Sequence, residues 1–120
     1  MKQQSTTSSG DEGEAIAVRF LRERGLVILE TKYRYKKMGE IDIVAKDGDV
    51  LVFCEVKMRR SNEFGDPEFA ITPKKQANVR RVAHAYLYEH DIDEQECRFD
   101  VVAIKNFGGR LEINYIPSAF

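Results

Sequence analysis

Gly39 to Lys57 reads GEIDIVAKDGDVLVFCEVK, and its pattern decides the fold. Ile41, Ile43 and Ala45 alternate with Glu40, Asp42, Val44 and Lys46, as on a strand with two unlike faces. A tight Asp47-Gly48-Asp49 turn follows. Val50 to Lys57 then runs as a second strand, apolar until Glu55 and Lys57. The whole stretch predicts a β-hairpin with acidic groups on both arms. Side chains two apart on a strand share a face, so Glu55 and Lys57 point one way, and Glu40 and Asp42 share a side of their own arm. Charges that end a buried-type strand are costly unless they have a partner or a task.

Outward from the hairpin, each flank punctuates itself. Residues 1–9 are polar and predict a disordered tail, leaving 10–120 as one domain. A helix is expected from about Asp11 to Arg24, with Ala17, Phe20 and Leu21 on its apolar side and Gly25 closing it. Glu14 falls in its first turn, where the helix dipole alone would favour a carboxylate. Leu26 to Tyr35 predicts a strand at or near a sheet edge, because it carries so much charge. After Lys57, Met58 to Phe69 predicts a loop. Thr72 as N-cap and Pro73 at the first helical position start a second helix, with Val79, Val82, Ala83, Tyr86 and Leu87 as its stripe. Cys97–Ile104 and Leu111–Ile116 close the chain as strands around a turn at Asn106–Arg110. The expected order is α-β-β-β-α-β-β, a mixed sheet with helices on its faces.

Bulk composition narrows the class. The 120 residues are 42% hydrophobic and 32% charged, with net charge −1. That fits a folded globular domain. No apolar run approaches 18 residues, and the first ten residues lack a signal-peptide core, so a cytoplasmic protein without a membrane partner is expected. Cys54 and Cys97 imply no disulfide framework and lack zinc spacing. His84 and His90, six apart on a helix, do not share a face. Basic residues gather at Lys32–Lys37, Lys57–Arg60 and Lys74–Arg81, where they form either phosphate-binding patches or ordinary solvated faces.

The register of the hairpin governs what Asp42 and Glu55 can do together. A two-residue Asp47-Gly48 turn makes them diagonal neighbours on one face. A four-residue loop sets them directly opposite. A slip of one residue sends them to opposite faces. Held together, the two carboxylates suit a hard divalent cation such as Mg²⁺, with the Val56 carbonyl as a further ligand. Lys57 would then hold or deprotonate the attacking water, or stabilise developing phosphate charge. The plainer reading is a Glu–Lys pair where the sheet meets solvent.

Asp42-x(12)-Glu55-Val56-Lys57, with Glu14 on a preceding helix, resembles the signature of the PD-(D/E)xK nucleases. GEIDIVA at Gly39–Ala45, DGDVLVFCEVKMR at Asp47–Arg59 and RFDVVAI at Arg98–Ile104, with Gly13-Glu14, Ala17, Leu21, Lys75 and Ala83–Leu87, more closely resemble the small bacterial YraN-like proteins. That uncharacterised family is described as similar to Holliday-junction resolvases and restriction endonucleases, and the resemblance spans roughly residues 10–116. It implies a restriction-endonuclease-like α-β-β-β-α-β core and a Mg²⁺- or Mn²⁺-dependent endonuclease acting on structured or branched DNA. Glu14, Asp42, Glu55 and Lys57 would be catalytic, with Asp42, Glu55 and Val56 holding the metal. Arg34, Lys36, Lys37, Arg59, Arg60, Lys74, Lys75, Gln76, Arg80 and Arg81 would meet nucleic acid. Two-site cleavage would need a homodimer. A nuclease-fold binding or assembly module without efficient cleavage is the alternative. Met58 and Lys32 depart from the expected pattern, which has a small hydroxyl residue and Asn at those places.

Overall fold

The computed structural model describes residues 8–61 and 65–120. The chain runs α1 (Ser8–Glu23), β1 (Val27–Arg34), β2 (Glu40–Asp47), β3 (Val50–Arg59), a short 3-10 helix (Pro67–Ala70), α2 (Pro73–Glu89), β4 (Cys97–Phe107) and β5 (Arg110–Ile116). Five strands form one sheet in chain order, with β1 and β5 at its edges. All neighbours are antiparallel except β3 and β4, which run parallel. A parallel pair cannot be closed by a tight turn, and α2 makes the crossover. The α-β-β-β-α-β order is therefore the observed core.

Each helix covers one face of the sheet. Ala17, Leu21 and Leu26 pack with Ile43, Ala45, Val52, Cys54, Val102 and Ile104. On the other face Val79, Val82, Ala83 and Tyr86 of α2 pack on Tyr33, Ile41, Val44, Leu51 and Phe53. The predicted stripe of α2 is thus its buried face. Helix α1 ends in a Schellman motif. Gly25 takes φ +93° and its N–H donates to Arg22 O at 2.9 Å, while the Leu26 N–H reaches back to Leu21 O at 3.0 Å. The two leucines so joined are both buried, which completes the motif.

Several boundaries differ from expectation. Helix α1 starts at Ser8, so residues 8 and 9, expected in the tail, are helical, and residues 1–7 lie outside the described set. Glu14 consequently sits in the second turn, where the dipole no longer accounts for it. Strand β3 continues through Met58 and Arg59, which pair with Ile104 and Lys105 of β4. The β4–β5 turn needs only Gly108 and Gly109, at φ +64° and +86°, so Asn106, Phe107 and Arg110 belong to the strands. Two consecutive positive φ angles are those of one of the two tight hairpin turns, and a Gly-Gly pair adopts them without steric cost.

Asp100, inside the RFDVVAI stretch of β4, is fully buried. Its carboxylate accepts from Arg98 Nε at 2.9 Å and Nη2 at 3.0 Å, from the Tyr115 hydroxyl at 2.5 Å and from the Ser118 N–H at 3.0 Å. Arg98 also meets Asp47 at 3.1 Å. One buried charge so ties β4, β5, the C-terminal segment and the β2–β3 hairpin.

Thr72 caps α2 as predicted, its side chain accepting from the Lys75 N–H at 3.2 Å. Thr72→Ala is expected to cost about 1 kcal/mol, read by urea denaturation, because one helix N–H loses its partner.

Candidate active site

The β2–β3 ladder runs from Asp47↔Val50 to Ile43↔Cys54. Gly48, at φ +60°, therefore takes the first central place of the turn, rather than Asp47 as in the two-residue register weighed above. That register makes Asp42 and Glu55 the next directly opposed rung. At this rung side chains replace the main-chain ladder. The Asp42 N–H donates to Glu55 Oε2 at 3.3 Å, and the Val56 N–H donates to Asp42 Oδ2 at 2.8 Å. A strand residue presents its N–H and C=O to the same edge, so the Val56 carbonyl also faces the gap beside Asp42. The hairpin opens here, and its opening is lined by carboxylates.

The simple alternation of β2 also fails at Asp42. Ile43 belongs to the α1 face, but Ile41 belongs to the α2 face. The pairs Thr31↔Ile43 and Tyr33↔Ile41 set Lys32 level with Asp42, and Lys32 has φ +53°. Both strands change face at one level. A non-glycine residue held in the left-handed region is uncommon and marks such local irregularity.

A cavity of about 310 Å³ gathers Glu14, Asp42, Glu55, Val56, Lys57 and Lys75, with Gly10, Ala70 and Ile71 completing its wall. All four predicted catalytic side chains thus line one space. Gly13 brings Glu14 there. A Cβ at Gly13 would lie 3.3 Å from Met58 Cβ, so α1 rests directly on the end of β3. Met58, the unexpected residue after the lysine, is part of that contact.

The charges are unevenly satisfied. Glu55 is 1% exposed, and its carboxyl is pushed up to about 8 by burial and by the neighbouring Asp42 charge. Lys75 Nζ, 3.6 Å from Glu55 Oε1, pulls in the opposite sense. Burial also raises Asp42, against the Val56 N–H and Lys75. Glu14 is held elsewhere. Lys32 Nζ lies 2.8 Å from its carboxylate and 3.0 Å from Asp11. Among the described residues no ion pair engages the Lys57 amine, and no group of three His, Cys, Asp or Glu side chains is preassembled for a metal. Two carboxylates and a backbone carbonyl facing one gap nevertheless suit a cation that keeps several waters.

The predicted nucleic-acid residues separate. Lys75 reaches the cavity. Gln76 instead donates to Ile71 O at 3.2 Å and secures the start of α2. Lys74, Lys36 and Lys37 are exposed, and Lys36 lies over the Tyr35 ring. The β1–β2 turn rests on α2, since a Cβ at Gly39 would lie 3.5 Å from Val82 and 3.6 Å from Asn78. Arg81 donates to Asn78 at 3.3 Å and so stands beside that turn. Three others are drawn off. Arg34 pairs with Glu40 at 2.9 Å, and Arg60 with Glu12. Arg80 sits over Phe99 and Phe120. Arg59 is half-buried at the end of β3. Glu40, paired to Arg34, does not line the cavity. Sequence reasoning missed the grip of Lys32 on Glu14 and of Lys75 on Glu55. Both pairs span residues far apart in the chain and had no local signal.

The fold and site define a class: a mixed α/β domain whose central hairpin opens into a cavity lined by carboxylates and lysines. The chain belongs to the family described as "Uncharacterised protein family UPF0102", whose pattern it matches over residues 13–104. A "UPF0102 protein" of Syntrophus aciditrophicus is 45% identical over 114 residues, covering 93% of this chain and 87% of the relative. One from Acetivibrio thermocellus is 45% identical over 97 residues, covering 81% and 75%. One from Alkaliphilus oremlandii is 42% identical over 113 residues, covering 92% and 96%. Among the described residues no helix is long and apolar enough to cross a membrane.

Proposed function

We propose that this protein is a divalent-cation-dependent endonuclease acting on DNA with structured or branched form. One observation carries the reading: Glu14, Asp42, Glu55 and Lys57, from three separate elements, line the same cavity. Asp42, Glu55 and the Val56 carbonyl would hold Mg²⁺ or Mn²⁺. When bound, the cation supplies Lewis-acid polarisation and neutralises phosphate charge. Lys57 orients the attacking water or offsets charge developing on the scissile phosphate, and its amine is uncommitted among the described residues. Lys36, Lys37, Lys74 and Arg81 flank the α2 side of the site and contact phosphates without reading sequence. Cleavage of two strands of a branched substrate requires two such sites and hence a homodimer, which light scattering would detect.

A binding or assembly module is the second reading. The Lys32 bridge favours it, because it holds Glu14 by ion pairing instead of leaving that carboxylate to a cation. Cleavage of linear, nicked and four-way-junction DNA with Mg²⁺ or Mn²⁺ separates the two. Metal-dependent products are expected from wild type, falling by about 10²–10³-fold in Asp42→Ala and in Lys57→Ala. Binding without products, indifferent to both changes, would establish the module instead.

A further inference from the structure

Lys75 is the one described cation in contact with a carboxylate of the Asp42–Glu55 pair. The two partners differ sharply in setting. The Glu55 side chain is 2% exposed, whereas that of Lys75 is 47% exposed. A long flexible amine at the cavity rim thus reaches inward to a carboxylate that cannot reach outward. Thr72 and Gln76 fix the backbone from which it reaches: the Thr72 side chain accepts the Lys75 N–H, and Gln76 is tied to Ile71. The Lys75 backbone is thus anchored at the start of α2, and its side chain extends from there to Glu55. The contact at 3.6 Å is a loose ion pair rather than a close hydrogen bond. Buried carboxylates need a counter-charge, and one amine at the rim supplies it at the least cost in desolvation.

We propose that Lys75 is a stand-in cation, pairing with the ionised Glu55 carboxylate in the metal-free protein and swinging out to a substrate phosphate when a divalent cation occupies the pair. The inference rests on reading Asp42 and Glu55 as the cation site. Its added content is an exchange: one amine serves two anions in turn. Metal-free protein is therefore held in a form whose phosphate-binding lysine is turned inward. The Lys75 amine turns outward from the rim, beside Lys74, only once Glu55 has another partner.

The lysine amines can be labelled by ¹³C-dimethylation, with the Lys75 signal assigned by its loss in Lys75→Arg. Saturation with Mg²⁺, without DNA, is expected to move that signal to the position of freely exposed lysines. Mn²⁺ affinity, measured by titration, is expected to rise about fivefold in Lys75→Met, as a modest ion pair implies. Lys57→Met is the comparison, because Lys57 lines the same cavity without such a contact; it should shift the affinity less. A Lys75 signal unmoved at saturating Mg²⁺, or Mn²⁺ affinity unchanged or weakened in Lys75→Met, would overturn the exchange. Asp42→Asn tests the underlying site separately. If it leaves Mn²⁺ affinity intact, the cation site itself falls and the exchange with it. If it weakens affinity while Lys75→Met does nothing, only the exchange falls.

Discussion

Glu55→Gln is expected to lower the proposed metal-dependent cleavage by about 10²–10³-fold while leaving the metal-free protein folded and, in alkaline buffer, more stable than wild type. The reason is the setting of Glu55. It is 1% exposed, and burial and the neighbouring Asp42 charge push its carboxyl up to about 8 from a normal value of 4.5. A raised carboxyl means that the folded protein keeps a proton that the unfolded chain gives up. Between pH 4.5 and about 8 the folded state therefore binds more protons, and stability falls as pH rises, by up to about 1.4 kcal/mol per unit. Above about 8 both states are ionised there and the slope ends. Glutamine has nothing to titrate, so its unfolding midpoint should be flatter across that window. Urea midpoints at pH 5, 7 and 9 check this. Equal slopes for wild type and Glu55→Gln would contradict the buried, charge-crowded setting. Added Mg²⁺ should restore wild type most at high pH and leave Glu55→Gln nearly unchanged. A buried carboxyl that destabilises its own fold is what the proposed site predicts, since activity and stability trade against each other.

Asp100→Ala is expected to cost about 3–5 kcal/mol, a large share of the total for a domain this size. It would remove the acceptor for Arg98, Tyr115 and the Ser118 N–H at once, leaving the largely enclosed Arg98 with Asp47 and the neutral Tyr115 hydroxyl. The melting temperature should fall by roughly 10–20 °C. Asp100→Asn keeps the shape and one acceptor oxygen, so its loss should be smaller. Chemical denaturation of both variants measures the difference, and a cost below about 1 kcal/mol for Asp100→Ala would show the network to be dispensable. Asp100 lies among the α1-side contacts of the sheet, whereas Glu55 meets Lys75 of α2. The two buried acids are thus separable: one anchors strands, the other belongs to the cavity.

Much of the architecture follows from local pattern. Gly25 ends α1, Thr72-Pro73 starts α2, and the apolar run Val50–Cys54 forms a strand buried on both faces. These are properties of neighbouring residues, so they survive in one dimension. The strand ends were less legible. Gly108-Gly109 closes a turn in two residues, and β3 runs on to Arg59, because pairing with β4 overrides the polar character of its last residues.

The sequence by itself determined the element order, the helical stripes and the residue types of the candidate site. It left open three registers for Asp42 and Glu55. Tertiary structure chose the directly opposed one, through a turn centred on Gly48-Asp49 and a change of face at Lys32 and Asp42. It also decided which charges meet: Lys32 with Glu14, Lys75 with Glu55, Arg98 with Asp100. Lys32–Glu14 and Lys75–Glu55 join residues 18 and 20 apart, each setting a half-exposed lysine against a more enclosed carboxylate. Local pattern carries conformational preference, but the low dielectric that makes a carboxylate costly, and the amine that answers it, exist only after the chain has packed.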